Sequence, residues 1–153
     1  MTIISVDRSG EIGKTDIWFV AVKEVGGQRH PAVFIHLTTQ SQYSTRFPVR
    51  WKEKLAAASI FYVVDKVFRS GDTIQIDKDY QGKTADYIAG CLQRLFGLKY
   101  PNDRLAAKPE VQFIPDMYSQ NVKRAHSKSK KARYGVIPSD RNPNLNSLLG
   151  MLM

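Results

Sequence analysis

The sequence predicts an α/β domain built on a mixed five-stranded sheet with helices packed on it, in the order β-β-β-α-β-α-β-α. Three observations lead there. Three β-branched and aromatic runs crowd into the first 38 residues with short connections between them. After residue 50 the apolar residues change to helical spacing, and from there helical segments alternate with compact strands. A strand returning to the same sheet through a helix runs parallel, whereas short connections favour antiparallel neighbours, so the sheet is expected to be mixed.

Residues 2–7 (Thr-Ile-Ile-Ser-Val-Asp) read as the first strand, ended by Arg8-Ser9-Gly10 and Gly13. Residues 16–25 form the second, Gly26-Gly27 is a turn signal, and residues 31–38 form the third. A polar stretch, residues 39–46, leads to Pro48, where a helix can begin. From Arg50 to Arg69, Ala56, Ala57, Ile60, Val63, Val64, Val67 and Phe68 fall on one face, and Ser70-Gly71 stops the helix. Residues 73–77 (Thr-Ile-Gln-Ile-Asp) make a fourth strand. A second helix, about 83–96, carries Ala85, Ile88, Ala89, Leu92, Leu95 and Phe96 on its face. Residues 111–114 form the fifth strand, and residues 118–134 a last, strongly basic helix. Residues 1–134 are therefore expected to be the domain. Residues 135–153 form a C-terminal extension, with prolines and asparagines before an apolar tip that folds back, stays flexible or docks a protein partner.

The chain of 153 residues suits one domain, and no apolar run approaches the roughly 18 residues of a membrane span. The single cysteine, Cys91, forms no internal disulfide, and the first residues lack the pattern of a signal peptide, so the cytoplasm is the expected compartment. A net charge of +9 attracts polyanions, which makes nucleic acid the expected partner, although basic proteins also arise for solubility. Six positive and no negative side chains lie in residues 121–133 (Lys123, Arg124, Lys128, Lys130, Lys131 and Arg133). Ordinary solvated helices interleave both signs, so this one is read as a binding face for phosphates.

The element order over roughly residues 2–134, together with Val6-Asp7-Arg8-Ser9-Gly10 on the first strand, resembles the ribonuclease H-like superfamily of ribonucleases H, junction resolvases and transposases. That family carries its leading aspartate on the first strand, matched by Asp7, and a second at the end of the fourth, matched by Asp77. The resemblance implies that these two hold Mg²⁺ or Mn²⁺ for two-metal phosphodiester cleavage. The plain alternative is that each acid ends a strand or caps a turn. The family's third acid lies on the first long helix, where Glu53 falls within the apolar stripe; the cost of that placement is met by a cation, or by solvent and the helix dipole at its first turn.

The fourth family position is an acid at the start of the helix after the fifth strand. That helix here has Lys123, Arg124, His126, Lys128 and Lys130 and no acid, so the nearest match is Asp116, which equally suits a helix cap. His126 is a candidate proton shuttle or an ordinary surface residue, and Glu11 is a spare carboxylate near Asp7.

Two Gly-Lys-Thr triplets, at 13–15 and 82–84, lack the first glycine of a phosphate loop, having Arg8 and Asp77 in its place. One cysteine and three scattered histidines make no closed zinc site. The expectation is a metal-dependent nuclease with catalytic Asp7, Asp77, Glu53 and Asp116, or a non-catalytic nucleic-acid-binding protein or complex subunit of the same fold. No helix is patterned clearly for dimerisation.

Overall fold

A computed structural model gives a six-stranded mixed sheet in the order β5-β4-β1-β2-β3-β6. The strands are β1 (Ile3–Ser9), β2 (Ile17–Lys23), β3 (Ala32–Ile35), β4 (Thr73–Asp77), β5 (Val111–Ile114) and β6 (Asp140–Arg141). The helices are α1 (Leu37–Arg46), α2 (Trp51–Val64), α3 (Gly82–Lys99), α4 (Arg104–Ala107), α5 (Gln120–Arg133) and α6 (Asn146–Met151). The structure describes residues 2–25, 30–77, 82–114, 120–135 and 137–153, with all α5 side chains except those of Gln120 and Val122.

As the short connections predict, β1 pairs antiparallel with β2 and β2 with β3. Beyond the helices, β4 runs parallel to β1 and β5 parallel to β4. Gly10 turns the chain after β1 at φ 89°, and a Cβ there would lie 2.1 Å from the Asp16 carbonyl oxygen, so no other residue fits.

The α/β class and mixed sheet follow the sequence expectation, but the five-strand count is corrected to six. The added strand, β6, pairs parallel with β3 through Val33–Asp140 and Phe34–Arg141. Two polar residues show no alternation, so pattern gives no sign of such a strand. A second correction is α1, which takes the last two residues of the expected third strand, 31–38, together with the polar stretch 39–46. His36 caps it, its Nδ1 accepting from the Thr38 amide, and it buries only Gln40 and Tyr43.

Strand alternation divides the core between the two faces of the sheet. Ile4, Val6, Ile17, Phe19, Val33, Ile74 and Ile76 join α2 and α3 in the main core, with Leu55, Ile60, Leu92 and Phe96 from the helices. On the other face, among the described side chains, α5 packs Ala125 and Ala132 against Val20, Val22 and Ala32, with Trp18 and Ile137 alongside.

The C-terminal segment folds back. Leu145, Leu149 and Leu152 are buried in the main core. The Tyr43 hydroxyl donates to the Pro143 carbonyl at 3.0 Å and accepts from the Leu145 amide at 3.0 Å. Three of the apolar residues that a docking tail would offer are thereby taken by this chain's own core, while Met151 and Met153 remain exposed.

Candidate metal centre and nucleic-acid interface

The parallel register of β1 and β4 creates the site. Val6 lies beside Ile76, so the next residues along, Asp7 and Asp77, end up as neighbours on adjacent strands. Both belong to the strand positions that face α5, because Ile4, Val6, Ile74 and Ile76 take the other face. α5 then supplies a third group: oxygen or nitrogen atoms of Asp7, Asp77 and His126 all come within 4.8 Å of one another.

Asp7 is 2% exposed. Its two oxygens have different surroundings. Oδ2 accepts from the Ser129 hydroxyl at 2.5 Å and lies 3.1 Å from His126 Nδ1. Oδ1 is buried without a hydrogen-bond partner among the described residues. An unpartnered buried carboxylate oxygen is costly, and the usual remedies are a hydrogen-bond donor or a cation. Asp7 thus keeps unsatisfied carboxylate capacity within a group of residues, with Asp77 and His126, that could hold a cation.

α5 is held in register by its polar inner side chains. Asn121 Nδ2 donates to the Ser5 hydroxyl at 2.8 Å and to the Val22 carbonyl at 2.9 Å. Asn121, Ala125, Ser129 and Ala132 recur every three or four residues and form the buried stripe. His126 and Ser129 lie along one edge of this stripe, towards Asp7.

Arg124, Lys128 and Lys131 lie along the opposite edge, and His30 joins them from the start of β3. Burial lowers the His30 pKa from its ordinary 6.5, and the charges of Lys128, Arg124 and Lys131 lower it further. Lys128 is lowered by the Lys131 charge, by burial, by a Lys131 contact and by Arg124. The two lowered values reflect positive charges gathered close together along this edge. Lys123, Lys130 and Arg133 are exposed, as are Arg124 and Lys131.

Glu53 is not part of the acidic group. It stands half-buried in the first turn of α2, on the opposite side of the sheet from α5, where its charge raises the Tyr87 and Cys91 pKa values already pushed up by burial. Its helix does begin at the right end of the sheet, since the turn at Gly13 rests against Lys52 and Trp51. Asp116 lies outside the described residues. Glu11 is exposed and pairs with Lys14.

Sequence reasoning gave His126 too little weight and missed Ser129. The available signal was their three-residue spacing beside Asn121, Ala125 and Ala132, which marks the inward edge of an otherwise cationic helix.

No protein-family model, curated protein or solved structure matches the chain. Among the described residues, no helix is long and apolar enough to cross a membrane.

Proposed function

We propose that this protein is a divalent-metal-dependent nuclease of ribonuclease H-like architecture, cleaving nucleic-acid phosphodiesters beside Asp7 and Asp77. The observation that carries the reading is the buried, unpartnered Oδ1 of Asp7, within a group that also contains Asp77 and His126. The strand order β5-β4-β1-β2-β3, with its two acids at the ends of adjacent parallel strands, supports it.

Asp7, Asp77 and His126 would hold the ion. Mg²⁺ favours an all-oxygen shell, whereas two carboxylates and an imidazole suit Mn²⁺ better, so Mn²⁺ is the better-fitting of the two. Such an ion, when bound, polarises a phosphoryl oxygen and makes a water nucleophile accessible near neutral pH. Ser129 holds the Asp7 carboxylate through Oδ2, and Oδ1 is left without a hydrogen-bond partner among the described residues. The cations of α5 draw the substrate backbone to the same face of the sheet.

A second reading, a non-catalytic nucleic-acid-binding protein, draws support from the position of Glu53 apart from the group. A cleavage assay separates the two. Labelled hybrid, double-stranded RNA, single strands and a four-way junction are incubated with Mg²⁺, Mn²⁺ or EDTA. The wild type is run beside Asp7→Asn and Asp77→Asn. Metal-dependent cutting lost in both variants is expected; binding without cutting, unchanged by either substitution, would leave the second reading.

A further inference from the structure

Next to the metal group on the same face of the sheet is a cleft of about 500 Å³. That volume lies within the roughly 300–1,000 Å³ range of small-molecule sites. Its wall includes Trp18, Phe34, Ile137, Arg133, Arg141 and Asp16. Trp18 projects from β2 and is partly exposed. Phe34 lies behind it at 5.0 Å between ring centroids, with the planes tilted by 48°. The Arg141 guanidinium lies over the Phe34 ring at 4.6 Å.

The register fixes how near this cleft is to the metal group. Asp7 stands opposite Val20, and Ser9 opposite Trp18. Trp18 is thus the diagonal neighbour of Asp7, about 7–8 Å away between Cα atoms, on the same face. An aromatic wall with two exposed arginines offers a stacking plane for a base and positive charge for its phosphate. The acid in the wall is already engaged: Asp16 Oδ1 accepts from the Leu37 amide at 2.8 Å and lies 3.9 Å from His36 Nε2.

We infer that this cleft is a subsite for one unpaired nucleotide of a nucleic-acid strand, its base stacked on Trp18 and its phosphate held by Arg133 and Arg141. The inference rests on the proposed nuclease reading and narrows its substrate class. A base inside a duplex presents only its edges, so the face of Trp18 reaches a base that is single-stranded or extruded. The protein would therefore favour strands with an unpaired nucleotide next to the cleaved phosphate over continuous duplex.

The test uses the full chain in EDTA, so that binding is read without cleavage. Trp51→Phe leaves Trp18 as the single tryptophan reporter. Its fluorescence is followed with a short single-stranded oligonucleotide, the same strand carrying one abasic position at each site in turn, the matched duplex, and a free mononucleotide. Quenching by the single strand, reduced by an abasic position and weak with duplex, is expected. In the Trp51→Phe background, Arg141→Gln, an exposed change, should weaken the quenching. In the otherwise wild-type chain, Trp18→Leu should weaken single-strand binding, measured by anisotropy, roughly tenfold.

Retained Mn²⁺ binding by the Trp18→Leu variant serves as its folding control. Equal quenching by intact and abasic strands, by strand and duplex alike, or by the mononucleotide alone overturns the inference. Those outcomes leave the nuclease reading standing if Asp7→Asn still abolishes metal-dependent cleavage. Base-dependent quenching in a protein that neither binds Mn²⁺ nor cleaves would sink the nuclease reading and keep the subsite.

Discussion

Asp7→Asn separates a metal ligand from a structural acceptor, because the two roles give opposite stability signatures. In EDTA the substitution keeps an acceptor for the Ser129 hydroxyl and the shape of the side chain. It forfeits the charge assistance of the hydrogen bonds at Oδ2, worth about 1 kcal/mol, and removes a buried anionic oxygen that has no partner, a gain of similar size. The net change should stay within about 1 kcal/mol, which for a chain of this size is a Tm shift of about 2–4 °C. Mn²⁺ supplied at about 100 times its Kd should stabilise the wild type by about 2.7 kcal/mol, raising Tm by about 5–11 °C, and should leave Asp7→Asn unmoved. Thermal unfolding followed by circular dichroism, with EDTA and with a Mn²⁺ series, reads both effects. A loss of more than about 3 kcal/mol in EDTA, together with no Mn²⁺ shift in the wild type, would make Asp7 a plain anchor for α5.

The remaining predictions concern charge, pH and the tail. Replacing Arg124, Lys128 and Lys131 together by Gln should lower the slope of log K against log salt by about 2–3 for nucleic-acid binding; an unchanged slope would take these residues off the interface. The folded His30 pKa is depressed, so below pH 6.5 the unfolded chain takes up a proton that the folded chain resists, and stability falls as pH drops. His30→Gln should flatten that part of a Tm-against-pH curve, and identical curves would separate His30 from the cationic edge. Leu145→Ala should cost about 2–5 kcal/mol, since this side chain is fully buried beyond residue 134; a loss under about 1 kcal/mol in denaturant unfolding would show the tail to be loosely held.

What the sequence revealed follows from how each element is stabilised. β2 was legible as an apolar, β-branched run and β1 and β4 by their alternation of apolar with polar residues, and Asp7 with Asp77 could be paired by their places in those strands. α2 and α3 show an apolar stripe, so their existence was plain, although the expected 50–69 and 83–96 became Trp51–Val64 and Gly82–Lys99. α1 was hidden because Leu-Thr-Thr-Gln-Ser-Gln-Tyr-Ser-Thr-Arg has low helix propensity and no stripe. Its stability comes from tertiary bonds, such as Gln40 Nε2 donating to the Thr15 and Ile35 carbonyls. Glu53 is half-buried at the start of α2, on the side of the sheet away from α5, and periodicity cannot tell which side of a sheet a helix covers. Asp65, at the C-terminal end of α2, accepts from the Tyr100 hydroxyl at 2.7 Å and pairs with Lys99, contacts that α2's own periodicity does not reveal.

The composition of the two cores has a consequence for dynamics. Among its described side chains, α5 rests on the sheet through alanines, a serine and an asparagine, smaller apolar groups than those α2 and α3 bring. Local opening free energy scales with apolar burial, and α5 should be among the first cooperative units to detach. Undocking removes His126 and Ser129 from Asp7 and disperses the cationic edge in the same event. If the proposed function holds, metal and nucleic acid would both bind the docked population, and each would lower the cost of ordering α5 for the other. Hydrogen exchange would display this coupling as slowed α5 amides when either ligand is added; α5 amides already exchanging at the global rate in the free protein would rule it out.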